Sequence, residues 1–431
     1  MNNSTLILPT ITLTFILVLF AVTINIGERD FGSPTPINHL ITNEMSDMES
    51  TESFDREMLK FMKYWDLKGG SFALMRNDSL LYAKGYGYAD VEHEEECEVR
   101  HIFRVASVSK LLTATAVMKL IEEGRLSLDA KVFGEGGILR DTMFRDLKYE
   151  NLGRITVEHL LRHTGGFSSP VGDPAFSQYN VSRSLDKELP LTVDDMVLYA
   201  TRNRLKTAPG SNYDYSNLGY IVLGKVVEEA SGMDYEEYLR DEILAPAGCY
   251  DMHIGRNFSK DREPNEVQYY EVREAEPVEA YDGSGVMTMK SNGGNNVTTL
   301  AGAGGWVASP VEILRLVASI NGEGVKRDIL SKKTVKTMTY DSSDRRKKPI
   351  GWAIVNGSEW LRSGSMAGTT ALIKRQKDGY TWVFVTNSSS WNGHRLSNYM
   401  SSNITRYISK VKQWPARDLF QIESGAVESV E

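Results

Sequence analysis

Strand-forming sequence stands at the two ends of this 431-residue chain, and the stretch between them is helical in period. "GGSFALMRNDSLLYAKGYGYAD", residues 69–90, reads as a β-hairpin, two apolar and aromatic-rich runs joined through Asn77 and Asp78. Far downstream come "GWAIV", "EWLRSG", "TTALIKRQ" and "YTWVFVTN", the last two separated by a Lys-Asp-Gly turn. From about 126 to 299 the apolar residues instead recur at helical spacing, as in "TVEHLLRH", "TVDDMVLYATRN" with Thr192 as a cap, and "NLGYIVLGKVVEEASG" ending on glycine. A sheet must therefore take strands from both ends. This predicts an α+β fold: a mainly antiparallel sheet in a discontinuous domain, residues 51–125 and 300–412, flanked by helices, with a largely helical region at 126–299 inserted. A helix at about 54–65 precedes the hairpin, and an amphipathic helix at about 394–411 covers the sheet. Residues 28–50 are expected to be a tether and 413–431 a flexible tail.

Such a length can bury a sizeable core. The net charge of -8, from 49 basic and 57 acidic residues, gives nucleic acid no general attraction, and no basic stripe with interleaved aromatics is present. Cys97 and Cys249 lie far apart, without disulfide-framework or zinc spacing, so they form one bridge or stay as two buried thiols. The first 27 residues include Thr5–Ile26, an uncharged apolar run about as long as a membrane helix. It reads as a membrane or export segment. No Lys or Arg precedes it and no small-x-small site follows, which leaves an uncleaved anchor and a cleaved signal both open. Seven Asn-x-Ser/Thr sequons in the body, at Asn77, Asn180, Asn257, Asn296, Asn356, Asn387 and Asn403, suit a secretory route. Leader and sequons together place the body outside the cytoplasm, secreted or held by a single membrane pass.

"FRVASVSKLL", residues 103–112, puts Ser107 and Lys110 on one helix face, three residues apart, at the mouth of an apolar run. Ser109 falls on another side. A lysine dehydrated in that run loses basicity and can take a proton from a neighbouring hydroxyl, while the helix N-terminus favours the alkoxide. The plainer alternative has Lys110 reaching out to water and Ser107 capping the helix. A second Ser-x-x-Lys, Ser184 to Lys187, lies in a charged, Pro-terminated stretch without an apolar helix behind it.

A serine–lysine enzyme needs a second proton relay, oxyanion donors and a substrate grip. Tyr215-Ser216-Asn217 follows a Pro-Gly turn and precedes a helix, so a loop could project phenol and amide into a cleft; Tyr215 could equally be a core aromatic. Tyr149-x-Asn151 lacks that setting. His163-Thr164-Gly165 follows a helix and reads as a turn with a capping histidine. In "EWLRSGSMAGTTALI", Arg362-Ser363-Gly364 ends a strand: Gly364 admits close approach, Ser365 N–H could face an oxyanion, and Arg362 could bind a carboxylate or sit in an ordinary surface turn.

Taken together, these stretches resemble the serine β-lactamase and penicillin-binding-protein superfamily, in the branch of class C β-lactamases, D-alanyl-D-alanine carboxypeptidases and related esterases. The resemblance covers about 51–411. It implies Ser107 as the acylated nucleophile, Lys110 as its base partner, Tyr215 as the proton shuttle and Asn217 as a binder of the substrate amide. It further implies an oxyanion hole from the N–H groups of Ser107 and Ser365, no metal and no cofactor, and a structural role for Gly304-Gly305. Arg362 stands where the family usually has Lys or His; it keeps the charge but cannot lend a proton at neutral pH. The expected activity is hydrolysis of an amide or ester bond in a small molecule or peptide through an acyl-enzyme. The alternative is an inactive relative that binds a partner outside the cytoplasm.

Overall fold

The computed structural model describes residues 34–167, 172–324, 328–340 and 348–422. The apolar leader Thr5–Ile26, the start of the expected tether and the tail beyond 422 lie outside the described residues. Among the described residues no helix is long and apolar enough to cross a membrane.

Seven strands make the main sheet: β1 Gly69–Arg76, β2 Ser79–Asp90, β3 Glu95–Glu96, β4 Ile354–Asn356, β5 Glu359–Met366, β6 Thr369–Arg375 and β7 Tyr380–Thr386. Their order is β3-β2-β1-β7-β6-β5-β4, and every pairing is antiparallel. The two chain ends meet where β1 pairs with β7, from Gly70 against Thr386 to Arg76 against Tyr380. Asn77 and Asp78 turn the first hairpin with φ of 50° and 58°, a left-handed pair that these two residue types tolerate and that suits the sheet's twist.

The longer helices are α1 Glu52–Trp65, α2 Ser109–Glu122, α3 Gln178–Leu185, α4 Val193–Arg202, α5 Asn217–Ser231, α6 Pro310–Ala318 and α7 Leu396–Lys410. Strand alternation sorts side chains between two cores. Trp382 and Phe384 of β7 pack with Phe72, Leu372 and the apolar faces of α1 and α7. Val383 and Val385 point the other way, into a larger core that includes Leu111 of α2, Val226 of α5 and Leu314 of α6. Helix α2 is enclosed on all sides from Ser109 to Met118, more than the single apolar face its sequence suggests, and chain reversal after it uses Gly124 at φ 72°.

From Thr35 onward the chain is one compact unit. Two boundaries differ from the sequence expectation. Within the expected 28–50 tether, Ile37 and Ile41 are core residues; their i, i+4 spacing forms a small apolar face that the surrounding polar residues hide from inspection. The expected tail packs as far as residue 422: Trp414, Leu419 and Phe420 are buried, and Arg417 Nε donates to Leu81 O at 3.0 Å.

Cys97 and Cys249 are both buried and free, and burial pushes the Cys97 thiol up to about 12. The sequons divide physically. Asn257, Asn296 and Asn387 are buried, with Asn387 Oδ1 accepting from Gly69 N at 2.8 Å and its Nδ2 donating to Tyr88 O at 3.0 Å. Asn77 and Asn356 are exposed.

Candidate active site

A short strand, Phe103–Arg104, pairs with Trp306–Ala308 and delivers the chain to a single 3₁₀ turn, Ala106–Val108, in front of α2. Ala106 holds φ 46°, a left-handed conformation that costs a non-glycine residue on the order of 1–3 kcal/mol and is kept only where surroundings enforce it. The turn sets Ser107 half-buried at the edge of the core, whereas Ser109 is fully buried and its Oγ accepts from Trp306 N at 3.2 Å. The two serines are thus separated by environment as well as by helix face.

Lys110 has no exposed surface. Its Nζ donates to Ser107 Oγ at 3.3 Å, to Asn217 Oδ1 at 2.6 Å and to the backbone carbonyl of Ala303. Tyr215 brings its hydroxyl to 2.7 Å from Ser107 Oγ, and its ring lies 5.0 Å from Lys110 Nζ. Both Tyr215 and Asn217 are placed by the start of α5: Ser216 is the N-cap, its Oγ accepting from Gly219 N at 3.0 Å, and Asn217 is the first helical residue. Asn217 Nδ2 donates in turn to Asp173 Oδ2 at 2.5 Å. Sequence reasoning missed Asp173. Asp173-Pro174 marks a helix cap, and its carboxylate does cap Ala175 N, but nothing in the sequence ties it to an amide 44 residues away.

The third element comes from β5. A Cβ on Gly364 would fall 2.2 Å from Val105 O and 2.8 Å from Ser107 N, so only glycine lets this strand lie against the turn that bears Ser107. Ser363 is half-buried, and Ser365 is exposed at the strand's cleft end. Arg362 is only 3 % exposed, with Nε donating to Ser107 O at 2.7 Å. It is therefore neither a surface-turn arginine nor a clamp reaching into the open cleft; it sits beneath the serine. Its position on the inward face of β5, alternating with Ser363, explains this.

The charges follow from burial. Desolvation holds the Lys110 ammonium below the usual lysine range, and the nearby Arg362 guanidinium adds to the effect. Burial pushes the Tyr215 phenol upward, but the positive charges of Lys110 and Arg362, with the hydrogen bond from Ser107, outweigh it and bring the group down to about 8. A lysine of lowered basicity and a tyrosine of raised acidity, both in reach of one hydroxyl, form a proton relay able to deprotonate it near neutral pH.

The competing motifs lie elsewhere. Ser184 and Lys187 are exposed, and Lys187 pairs with Asp195 at 2.7 Å. Tyr149 precedes a surface 3₁₀ turn, Glu150–Arg154. His163 is a correction: it caps no helix. His159 does that, in a capping box with Thr156, while His163 is buried against Tyr215 with ring centroids 4.5 Å apart. Gly305 packs backbone closely, a Cβ there falling 2.6 Å from Val297 O, whereas a Cβ on Gly304 would meet nothing nearer than Ala106 C at 3.6 Å. No cluster of three or more His, Cys, Asp or Glu side chains suited to a metal occurs among the described residues.

Comparison with known proteins agrees in kind. The family model described as Beta-lactamase matches residues 54–403. Putative penicillin-binding protein PbpX of Bacillus subtilis (strain 168) is 26% identical over 318 residues, 73% of this chain and 69% of that protein. Other relatives match over less of their own length, penicillin-binding protein 4* of the same strain over 40%. Among solved structures, the D-amino acid amidase of Ochrobactrum anthropi SV3 is similar in fold with a TM-score of 0.65 at 21% identity, covering 85% of this chain and 100% of that one. EstCE1, a hydrolase with promiscuous acyltransferase activity, gives 0.63 at 21% identity over 84% and 100%. With the family match spanning most of the folded unit, the chain belongs to the beta-lactamase family, within the serine hydrolase superfamily.

Proposed function

We propose that this protein hydrolyses an amide or ester bond through an acyl-enzyme on Ser107. The observation that carries the reading is the Ser107 hydroxyl standing 2.7 Å from the Tyr215 phenol and 3.3 Å from the Lys110 ammonium. In acylation the Tyr215 phenolate takes the Ser107 proton as Oγ bonds to the substrate carbonyl carbon. The C–O or C–N bond then breaks, and Tyr215 returns the proton to the leaving alcohol or amine. Water repeats the sequence in deacylation: Tyr215 accepts its proton, the oxygen bonds to the acyl carbon, the acyl–Oγ bond breaks to release the acid, and Tyr215 returns the proton to Ser107 Oγ. Lys110 holds the phenol's charge throughout and orients the Asn217 amide toward the substrate. The N–H groups of Ser107 and Ser365 serve the developing oxyanion, brought together by the close approach at Gly364.

The similarity to a D-amino acid amidase supports an amide substrate, that to a putative penicillin-binding protein supports a penicillin-like one, and that to EstCE1, a hydrolase with acyltransferase activity, supports acyl transfer. We place the body outside the cytoplasm on the strength of the apolar Thr5–Ile26 stretch. Intact-mass measurement after incubation with a fluorophosphonate and with a penicillin tests the chemistry. One covalent adduct on the wild type, absent from Ser107→Ala, is the expected result. No adduct with either reagent refutes the enzyme reading and leaves a binding protein; an adduct that survives Ser107→Ala refutes the nucleophile.

A further inference from the structure

We propose that His163 is a positioning residue that fixes Tyr215 between Lys110 and Arg362. The inference rests on the reading of Tyr215 as the proton relay, and its geometry stands apart from it. His163 is attached to the Tyr215 segment on three sides. Its carbonyl accepts from Asp214 N at 2.8 Å, and its Nδ1 accepts from Ser216 N at 3.2 Å, so the residues before and after Tyr215 are both bonded to it. Its ring lies against the Tyr215 ring at 4.5 Å and 34°, and against Tyr220 of α5 at 5.0 Å and 31°. A phenol can swing about its first side-chain torsion; here the Ser216 amide and one ring face are held by the His163 side chain, and the Asp214 amide by the same residue's backbone carbonyl.

Two properties suit His163 to this work. It is 7 % exposed and holds φ 57°, so the turn after the helix Val157–Leu161 is bent sharply to bring the imidazole under the tyrosine. Nδ1 can accept from Ser216 only while that nitrogen is unprotonated. Burial, with the Lys110 and Arg362 charges, holds the imidazole well below the usual histidine range, so the acceptor persists at neutral pH. The charged and titratable groups that bear on the phenol are Lys110 from α2, Arg362 from β5, Tyr220 from α5, and His163 and Tyr213 from the flanking turns.

The test uses the full chain and two readouts. First, the titration of Tyr215 is followed by phenolate absorbance as the difference between a protein and its Tyr215→Phe counterpart. The wild-type midpoint near 8 should move toward the ordinary tyrosine range in His163→Leu, which removes the Nδ1 acceptor, and move less in His163→Asn, whose amide oxygen can still accept from Ser216 and which tolerates φ 57°. Circular dichroism confirms that each variant is folded. A midpoint unmoved in folded His163→Leu overturns the inference, and this readout does not depend on enzymatic activity. Second, the rate of fluorophosphonate labelling should fall roughly tenfold or more in His163→Leu, and that substitution should have almost no further effect in a Tyr215→Phe background. Equal losses in both backgrounds would assign His163 to general packing and overturn the inference. A wild type that shows the titration near 8 but takes no label refutes the hydrolase reading alone.

Discussion

Replacing Gly364 by alanine isolates what the close approach of β5 contributes. The added methyl would meet Val105 O at 2.2 Å, Ser107 N at 2.8 Å and Ala106 Cβ at 3.1 Å. Two of these neighbours are backbone atoms, and ordinary contact with carbon begins near 3.5 Å, so strand and turn must separate by roughly 1 Å. The cost in stability should be that of overpacking, about 1–3 kcal/mol. The functional cost should be larger. Ser107 N belongs to the proposed oxyanion pair, and a misplacement of about 1 Å in reacting geometry costs on the order of 10²-fold in rate. The assay is the second-order rate constant for fluorophosphonate labelling, with thermal unfolding measured on the same samples. Folded Gly364→Ala is expected to label about 100-fold more slowly than wild type. Labelling within about twofold of wild type would refute the claim that this contact sets the oxyanion donors, because the methyl cannot be accommodated without moving one of them.

Other perturbations separate the remaining contributions. The labelling rate should rise with pH through an apparent value near 8, belonging to the Lys110–Tyr215 pair, and Tyr215→Phe should abolish that rise; a flat wild-type profile would argue against the relay. Asp173→Ala frees the Asn217 amide, and kcat/KM on whichever ester or amide substrate is found should fall about tenfold with little change in melting temperature. Glu312 is fully buried and its carboxyl is raised from 4.5 to about 8 by desolvation, with Asp251 adding repulsion. The folded protein therefore binds a proton there that the unfolded chain has released, so its stabilising contribution is complete below about 4.5 and is lost as pH rises through about 8. Glu312→Gln should flatten that part of the melting-temperature profile. Expressed in a glycosylating host, the folded protein should carry no glycan on Asn257, Asn296 or Asn387, and Asn387→Gln should destabilise it by about 1–3 kcal/mol through the lost bonds to Gly69 and Tyr88; a glycan found at Asn387 by peptide mass spectrometry would contradict the burial.

What the sequence disclosed divides by range. The Asn77-Asp78 turn and the cap at Thr192 are local, and the structure realises each as a local arrangement. That one sheet takes strands from both chain ends was also legible, but which strands meet, β1 with β7, came only from the structure. The partners of side chains were not legible either. Ser107 and Lys110 share a helix turn and could be paired by spacing, but Asp173 meets Asn217 and His163 meets Tyr215 only through tertiary folding. His163 was misjudged for a definite reason: a histidine after a helix ordinarily serves the helix end, and only the left-handed φ of 57° redirects it. Arg362 reads as a carboxylate binder or, more plainly, a surface-turn arginine; "LRSG" alone does not show that strand parity turns the guanidinium inward onto Ser107 O.

That inward turn bears on why the site is built with two cations. Lys110 and Arg362 are both buried, and among the described residues neither makes an ion pair; Asp173 reaches Lys110 only through the Asn217 amide. Burying unpaired charge is costly, and the dipoles of Ala303 O, Asn217 Oδ1 and Ser107 O offset it only in part. Arg362 Nη2 is buried without a hydrogen-bond acceptor among the described residues. For stability alone a neutral residue at position 362 would serve better. The arrangement becomes favourable once negative charge arrives between the cations, first as the Tyr215 phenolate and then, by our mechanism, as the oxyanion on the substrate. Fixed charges that await a developing anion need no reorganisation at the moment of reaction, which is how a folded interior outperforms water at the same task. A guanidinium also spreads its charge over a planar fork of donors, a more weakly hydrated cation than an ammonium and so the less costly of the two to keep in an interior awaiting that anion.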